Sequence, residues 1–234
     1  MLVGGVAAGV LTGHRIRRMR ATATTVRPLD HDVDLPGAAP PRRLVVLGDS
    51  AAAGHGLHDA DEALARRVGR GLVARDGRAT TVRCVAVDGA TTAGVLATQL
   101  DAACGAEVVI VGVGVNDATR PSRRVTTAAA QLGALLVAVQ ARKAPGGRVV
   151  LLSCPDLSVA PGLPTVLRPV MGMRCRALAT AQASVAGHLG VEVITVPRSV
   201  LSAEVFGPDG FHPGVVGHAR LADDVVERLT TTGG

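Results

Sequence analysis

The run Leu44-Val45-Val46-Leu47 is apolar, Gly48-Asp49-Ser50 stops it, and the small residues of "AAAGHG" follow. A serine set where a buried strand ends can offer its hydroxyl to a ligand. That hydroxyl is a weak nucleophile until a base takes its proton, and acyl transfer also needs donors for the oxyanion that develops. Both requirements are met later in the chain. In "FGPDGFHPGVVGHA", Asp209 and His212 supply a general base and, three residues before it, a carboxylate to orient its second ring nitrogen. Gly89 in "VDGATTAGV" offers a backbone N–H, and Asn116 in "GVGVNDATR" offers an amide. The catalytic candidates are therefore Ser50, Asp209 and His212, and the oxyanion candidates are the Ser50 N–H, the Gly89 N–H and the Asn116 side chain.

Residues so far apart need a scaffold that gathers them. Beyond residue 43, apolar β-branched runs alternate with longer amphipathic segments. The pattern predicts strands near 43–48, 81–87, 107–113, 148–153 and 191–196, and helices near 60–75, 91–103, 123–142, 165–189 and 214–230. Five strands alternating with five helices imply a parallel sheet covered on both faces, because each parallel pair needs a crossover. Ligands in such open sheets sit beyond the carboxyl ends of the strands, and all the candidate residues fall at those ends.

"GDS" at 48–50, Gly89, "GVND" at 114–117 and "DGFHP" at 209–213 stand in the order of the four blocks of the SGNH/GDSL hydrolase family, which the chain resembles over residues 43–230. The resemblance implies a three-layer α/β/α sandwich, flavodoxin-like with a five-stranded parallel sheet. It also implies a serine hydrolase without a cofactor, acting on carboxylic esters or thioesters through an acyl-serine. Ser50 would be the nucleophile, Asp209 and His212 the other triad members, and Ser50, Gly89 and Asn116 the oxyanion hole. Many relatives carry Asn two residues before the Gly of the second block, where this chain has Val87.

Composition narrows the field. The hydrophobic share is 47%, enough to build one large core, yet aromatic residues make up 1% with neither Trp nor Tyr, which removes the stacking platform used for single-stranded nucleic acid. The formal charge of +6 is concentrated in residues 1–43, which hold a net +4 and leave +2 for the rest. No nucleic-acid partner is expected. The four cysteines, 84, 104, 154 and 175, lack metal-ligand spacing, so no metal site is expected and their pairing stays open.

Residues 1–42 read as a segment apart from a catalytic domain at 43–234. "MLVGGVAAGVLTG" is too short to span a bilayer, and its basic residues follow rather than precede it, unlike a secretory signal. It points to possible membrane association, with a cytoplasmic or membrane-associated location favoured over secretion. "VRPLDHDVDLPGAAPPRR" reads as a linker.

Three competing functions follow from these readings. The first is an esterase, lipase-like or thioesterase hydrolase acting on a small-molecule or lipid ester. The second is an acyltransferase using the same residues, and the third a non-catalytic flavodoxin-like domain cradling a nucleotide or phosphate at the turn after residue 48. That turn lacks a Walker A ending. His55, His58 and His218 read as structural or solvated, and Asp49, Asp88 and Asp117 as loop-fixing residues. The stretch 154–176 offers Leu163, Val166, Leu167, Val170, Met171 and Met173 as one candidate border for an acyl pocket.

Overall fold

The computed structural model describes residues 33–231. Six strands form one sheet in the order β1-β3-β2-β4-β5-β6: β1 Val33–Leu35, β2 Ala39–Gly48, β3 Arg78–Cys84, β4 Val108–Gly112, β5 Arg148–Leu152 and β6 Glu192–Ile194. The five strands from β2 onward are parallel, as the sequence pattern requires, and β1 joins the edge antiparallel to β3.

Alternation along the strands builds the two covered faces. Leu44, Val46, Val82, Ile110 and Val150 face helices α2 (Leu64–Asp76) and α7 (Val215–Thr231), meeting Val68, Leu72 and Val225. Val45, Leu47, Val109, Val111 and Leu151 face the other way. They pack against α3 (Thr92–Thr98), α5 (Val125–Arg142) and the end of α6 (Arg168–His188) through Val95, Leu132, Leu136 and Ala186. The central stretches 44–47 and 108–111, buried on both faces, are apolar at every position, with Val, Leu and Ile in place of the missing aromatics.

Two expectations are corrected. The sheet has six strands rather than five, and the described part of the stretch read as a linker, from Val33 onward, already pairs in β1 and β2. Pro40 and Pro41 look like breakers, but the register of β2 against β3 shifts between Ala39 and Arg42, which accommodates residues without N–H groups. Arg42, although charged, is buried there: it donates to Thr80 Oγ1 at 3.1 Å and to both Asp76 carboxylate oxygens at 2.5 and 2.6 Å. The apolar segment 1–13 and its following arginines lie outside the described residues. Among the described residues no helix is long and apolar enough to cross a membrane.

Candidate active site

The rim begins where β2 must stop. A Cβ at Gly48 would stand 2.1 Å from the Gly112 carbonyl oxygen, so only glycine lets β2 and β4 approach there. Gln99, buried on the adjoining segment, brackets the end of the strand: Gly48 N–H donates to Oε1 at 2.7 Å, and Nε2 donates back to the Gly48 carbonyl at 2.9 Å. Gln182 does the same between β4 and β5, accepting from Cys154 N–H at 2.8 Å and donating to the Val113 carbonyl at 2.8 Å. Both glutamines escaped the sequence reading. Their only signal is a polar side chain within an otherwise apolar helical segment.

Asp49 caps the short helix α1 (Ser50–Ala53), accepting from Ala51 N–H at 3.1 Å. Ser50 thus occupies the first helical position, where the backbone N–H has no partner within the helix. Burial pushes the Asp49 carboxyl up to about 7 against the opposing pull of the Ala51 and Gly114 N–H groups, and the Asp117 and Asp88 charges add to the rise. Asp49 is therefore a structural cap and largely protonated below neutrality.

His212 reaches Ser50 from the loop before α7. Its Nε2 lies 2.9 Å from Ser50 Oγ, and its Nδ1 lies 2.5 Å from Asp209 Oδ2. A carboxylate only accepts, so Nδ1 carries the ring proton and Nε2 accepts from the Ser50 hydroxyl. The other Asp209 oxygen takes the N–H groups of Phe211 at 2.9 Å and His212 at 3.0 Å, which folds "DGFH" into a tight turn. Burial on its own would raise the Asp209 carboxyl. The hydrogen bond from the His212 ring and those two N–H donors outweigh it and hold the group below the usual carboxylate range. Asp209 thus faces His212 as an anion.

Gly89 and Asn116 arrive from the neighbouring strand ends. Val87 N–H bonds to the Gly48 carbonyl at 3.1 Å and Asp49 N–H to the Gly112 carbonyl at 3.0 Å, so β3 and β4 flank the serine turn on both sides. Gly89 takes a positive φ of 76°, which its lack of a side chain permits. Asn116 begins the second position of α4 (Val115–Thr119) and donates one Nδ2 proton to the Ala90 carbonyl at 3.0 Å, leaving the other for a ligand. Asp117 fixes the same loops, accepting from Thr92 N–H at 2.8 Å and Thr92 Oγ1 at 2.9 Å. Ser50, His212 and Asp209 are thus joined by hydrogen bonds, and Gly89 and Asn116 follow the two strands that flank Ser50.

Beside the serine opens a cavity of about 140 Å³, lined by Ser50 and His212 together with Leu152, Leu201, Val205 and Phe206. Of the stretch 154–176, only Cys154, Pro155 and Leu157 reach it. Leu163 is buried elsewhere, Val166 and Met173 are exposed, and none of the six apolar residues of that stretch lines this cavity. One side of it comes from Val196, Val200, Leu201, Val205 and Phe206, whose short 3₁₀ turns carry no periodic signal. The four cysteines are free thiols, and burial pushes that of Cys84 up to about 11.

The family model for the GDSL-like Lipase/Acylhydrolase family matches residues 46–220. A GDSL-like esterase of Mycobacterium tuberculosis is 30% identical over 190 residues, covering 77% of this chain and 59% of that protein. The chain thus spans less than two thirds of that relative's length. Among solved structures, a lipase/acylhydrolase from Enterococcus faecalis superposes with a TM-score of 0.65 at 23% identity, covering 80% of this chain and 95% of that one. The psychrotrophic esterase of Pseudoalteromonas, solved in a form inhibited by monoethylphosphonate, superposes with a TM-score of 0.61 at 16% identity, covering 80% and 96%.

Proposed function

This chain belongs to the GDSL-like Lipase/Acylhydrolase family, and from that premise we propose that it is a serine hydrolase that cleaves carboxylic esters through an acyl-enzyme on Ser50. The observation that carries the reading is the unbroken hydrogen-bonded line from Asp209 through His212 to the Ser50 hydroxyl.

In the proposed cycle the Ser50 oxygen attacks the ester carbonyl carbon while its proton moves to His212 Nε2. The Asp209 anion stabilises the imidazolium that results. The carbonyl oxygen becomes an oxyanion that accepts from Ser50 N–H, Gly89 N–H and the free Nδ2 proton of Asn116. Collapse expels the alcohol, which takes the proton from His212 and leaves the acyl group on Ser50. Water then attacks the acyl carbon, gives its proton to His212, and releases the acid as Ser50 recovers that proton. A second alcohol in place of water would give acyl transfer, which product analysis with an added alcohol separates from hydrolysis.

The apolar cavity supports an ester with a short aliphatic acyl group. A cavity of about 150 Å³ is known to hold one benzene ring, so this one accommodates roughly four to six carbons. An acetyl group would leave apolar wall unfilled, and a long chain would have to extend outside.

Phosphonate esters test the nucleophile, and the structural neighbour inhibited by monoethylphosphonate makes them the natural probe. Intact mass after fluorophosphonate treatment is expected to show one adduct, mapped to Ser50, in the folded protein and none in Ser50→Ala or His212→Ala. An unlabelled folded wild type overturns the reading.

A further inference from the structure

His55 lies outside the proposed triad yet touches three separate parts of the site. Its backbone N–H donates to the Ser50 carbonyl at 3.0 Å, so it closes the turn that presents the nucleophile. Its ring packs on the His212 ring, with centroids 4.3 Å apart and planes tilted by 44°. Its Nδ1 lies 2.7 Å from Asp88 Oδ2, and Asp88 directly precedes Gly89. The imidazole is buried, whereas the carboxylate that holds it is 42% exposed.

The Gly89 turn is held by hydrogen bonds rather than by packing. Val87 on one side is exposed, and the space where a Gly89 side chain would stand is open. Its backbone is held by Val87 N–H on the Gly48 carbonyl and Ala90 N–H on the Val87 carbonyl, both at 3.1 Å, by Arg120 Nη2 on the Gly89 carbonyl at 3.2 Å and by Asn116 on the Ala90 carbonyl. The bond between Asp88 and His55 adds a side-chain link from this turn to the ring stacked on the base.

We propose that His55 and Asp88 form a positioning strut that keeps the His212 ring on Ser50 and the Gly89 N–H facing the same reacting carbon. This rests on the assignment of Ser50, His212 and Gly89 made above. The strut acts through geometry: neither residue exchanges a proton with substrate, and the His55 ring limits how far His212 can turn when its proton arrives from Ser50. Small errors in such alignment cost rate steeply, while ground-state binding in the apolar cavity is untouched.

The test is kcat per active site on a short-chain ester, with sites counted by fluorophosphonate mass so that unfolded protein drops out. His55→Ala and Asp88→Ala are each expected to lower that kcat about tenfold with KM changed less than about twofold. The double variant should fall little below the worse single, because the two residues act as one unit. Asp88→Asn keeps an oxygen to accept from His55 and should stay within about threefold of wild type. Should His55→Ala fail to fold, the exposed Asp88 carboxylate supplies the decisive variant. Per-site kcat unchanged in Asp88→Ala, or a double loss equal to the product of the singles, overturns the strut. An unlabelled wild type overturns the nucleophile assignment and the strut with it, whereas labelled wild type with unaffected variants overturns the strut alone.

Discussion

Two histidine–aspartate pairs stand side by side at this rim, and they differ in ways that matter. His212 and Asp209 are three residues apart, 2.5 Å between polar atoms, with the carboxylate buried and fed by two further backbone N–H groups. His55 and Asp88 are 33 residues apart, 2.7 Å between polar atoms, with the carboxylate 42% exposed to solvent. Each imidazole has a carboxylate on Nδ1, but it is His212 whose second nitrogen meets the serine hydroxyl. The chemical pair is the same, so what each does follows from what lies on the other side of the ring and how dry its anion is. A buried anion stabilises a developing imidazolium strongly, and an exposed one is screened.

The largest expected effect breaks the symmetry between the two aspartates. Asp209→Asn should lower kcat on the order of 10⁴-fold, since an amide no longer selects the tautomer that leaves Nε2 as acceptor. Asp88→Asn, on the screened pair, should stay near wild type. Steady-state kinetics of the two variants on one ester decides the matter, and equal losses would mean that the pairs are not distinguished by burial. Next in size is Asn116→Ala, which removes one proposed oxyanion donor and should cost about 10²–10³ in kcat. A loss of only a few-fold would reduce Asn116 to its bond with Ala90.

A smaller effect contrasts the polar rim with the apolar wall. Across straight-chain acyl esters, kcat/KM should peak near four to six carbons, roughly the size the cavity admits. Enlarging the wall residue Leu201 to Phe should lower the ratio of hexanoate to acetate turnover by about tenfold, in the range expected for a methylene or two of lost pocket. Rim variants such as Asp88→Ala should shift all esters together. A wall variant that behaves like a rim variant would place the acyl group elsewhere.

The contrast between the pairs also shows what a sequence can disclose. Asp209 and His212 share one turn, so their partnership is legible in "DGFH" itself. Ser50, Gly89 and Asn116 were legible because each follows an apolar strand, and a parallel sheet brings strand ends to one edge. His55 and Asp88 each stand beside a selected residue, yet nothing local says that one side chain crosses to the other. Gln99 and Gln182 were hidden for the same reason: their partners are backbone groups on other strands. The strand 33–35 was missed because the prolines and aspartates around it mask an edge strand that pairs on one side only. The residues 196–206 that line the cavity were not foreseen because turns of three residues have no periodicity to read.

A third histidine sharpens the comparison from the opposite side. His218, six residues after His212, is buried, accepts at Nδ1 from the Leu64 N–H at 3.2 Å, and among the described residues forms no ion pair with a carboxylate. Burial, with the Arg67 and His212 charges adding to it, pushes its pKa down to about 4. Between pH 6.5 and about 4 the unfolded chain therefore binds a proton that the folded chain refuses, so His218 destabilises the fold as pH falls through that window, by about 3 kcal/mol at its foot. Asp49 has the opposite sign. Raised to about 7 from 3.8, it binds its proton in the folded state first, so it adds stability as pH falls from 7 towards 3.8. The two slopes oppose each other in wild type, and single variants should uncover each. Urea midpoints of His218→Gln should rise on acidification from pH 6.5 to 4.5, and those of Asp49→Asn should fall, relative to wild type. Parallel midpoint curves for all three proteins would show that neither buried group titrates as its surroundings require.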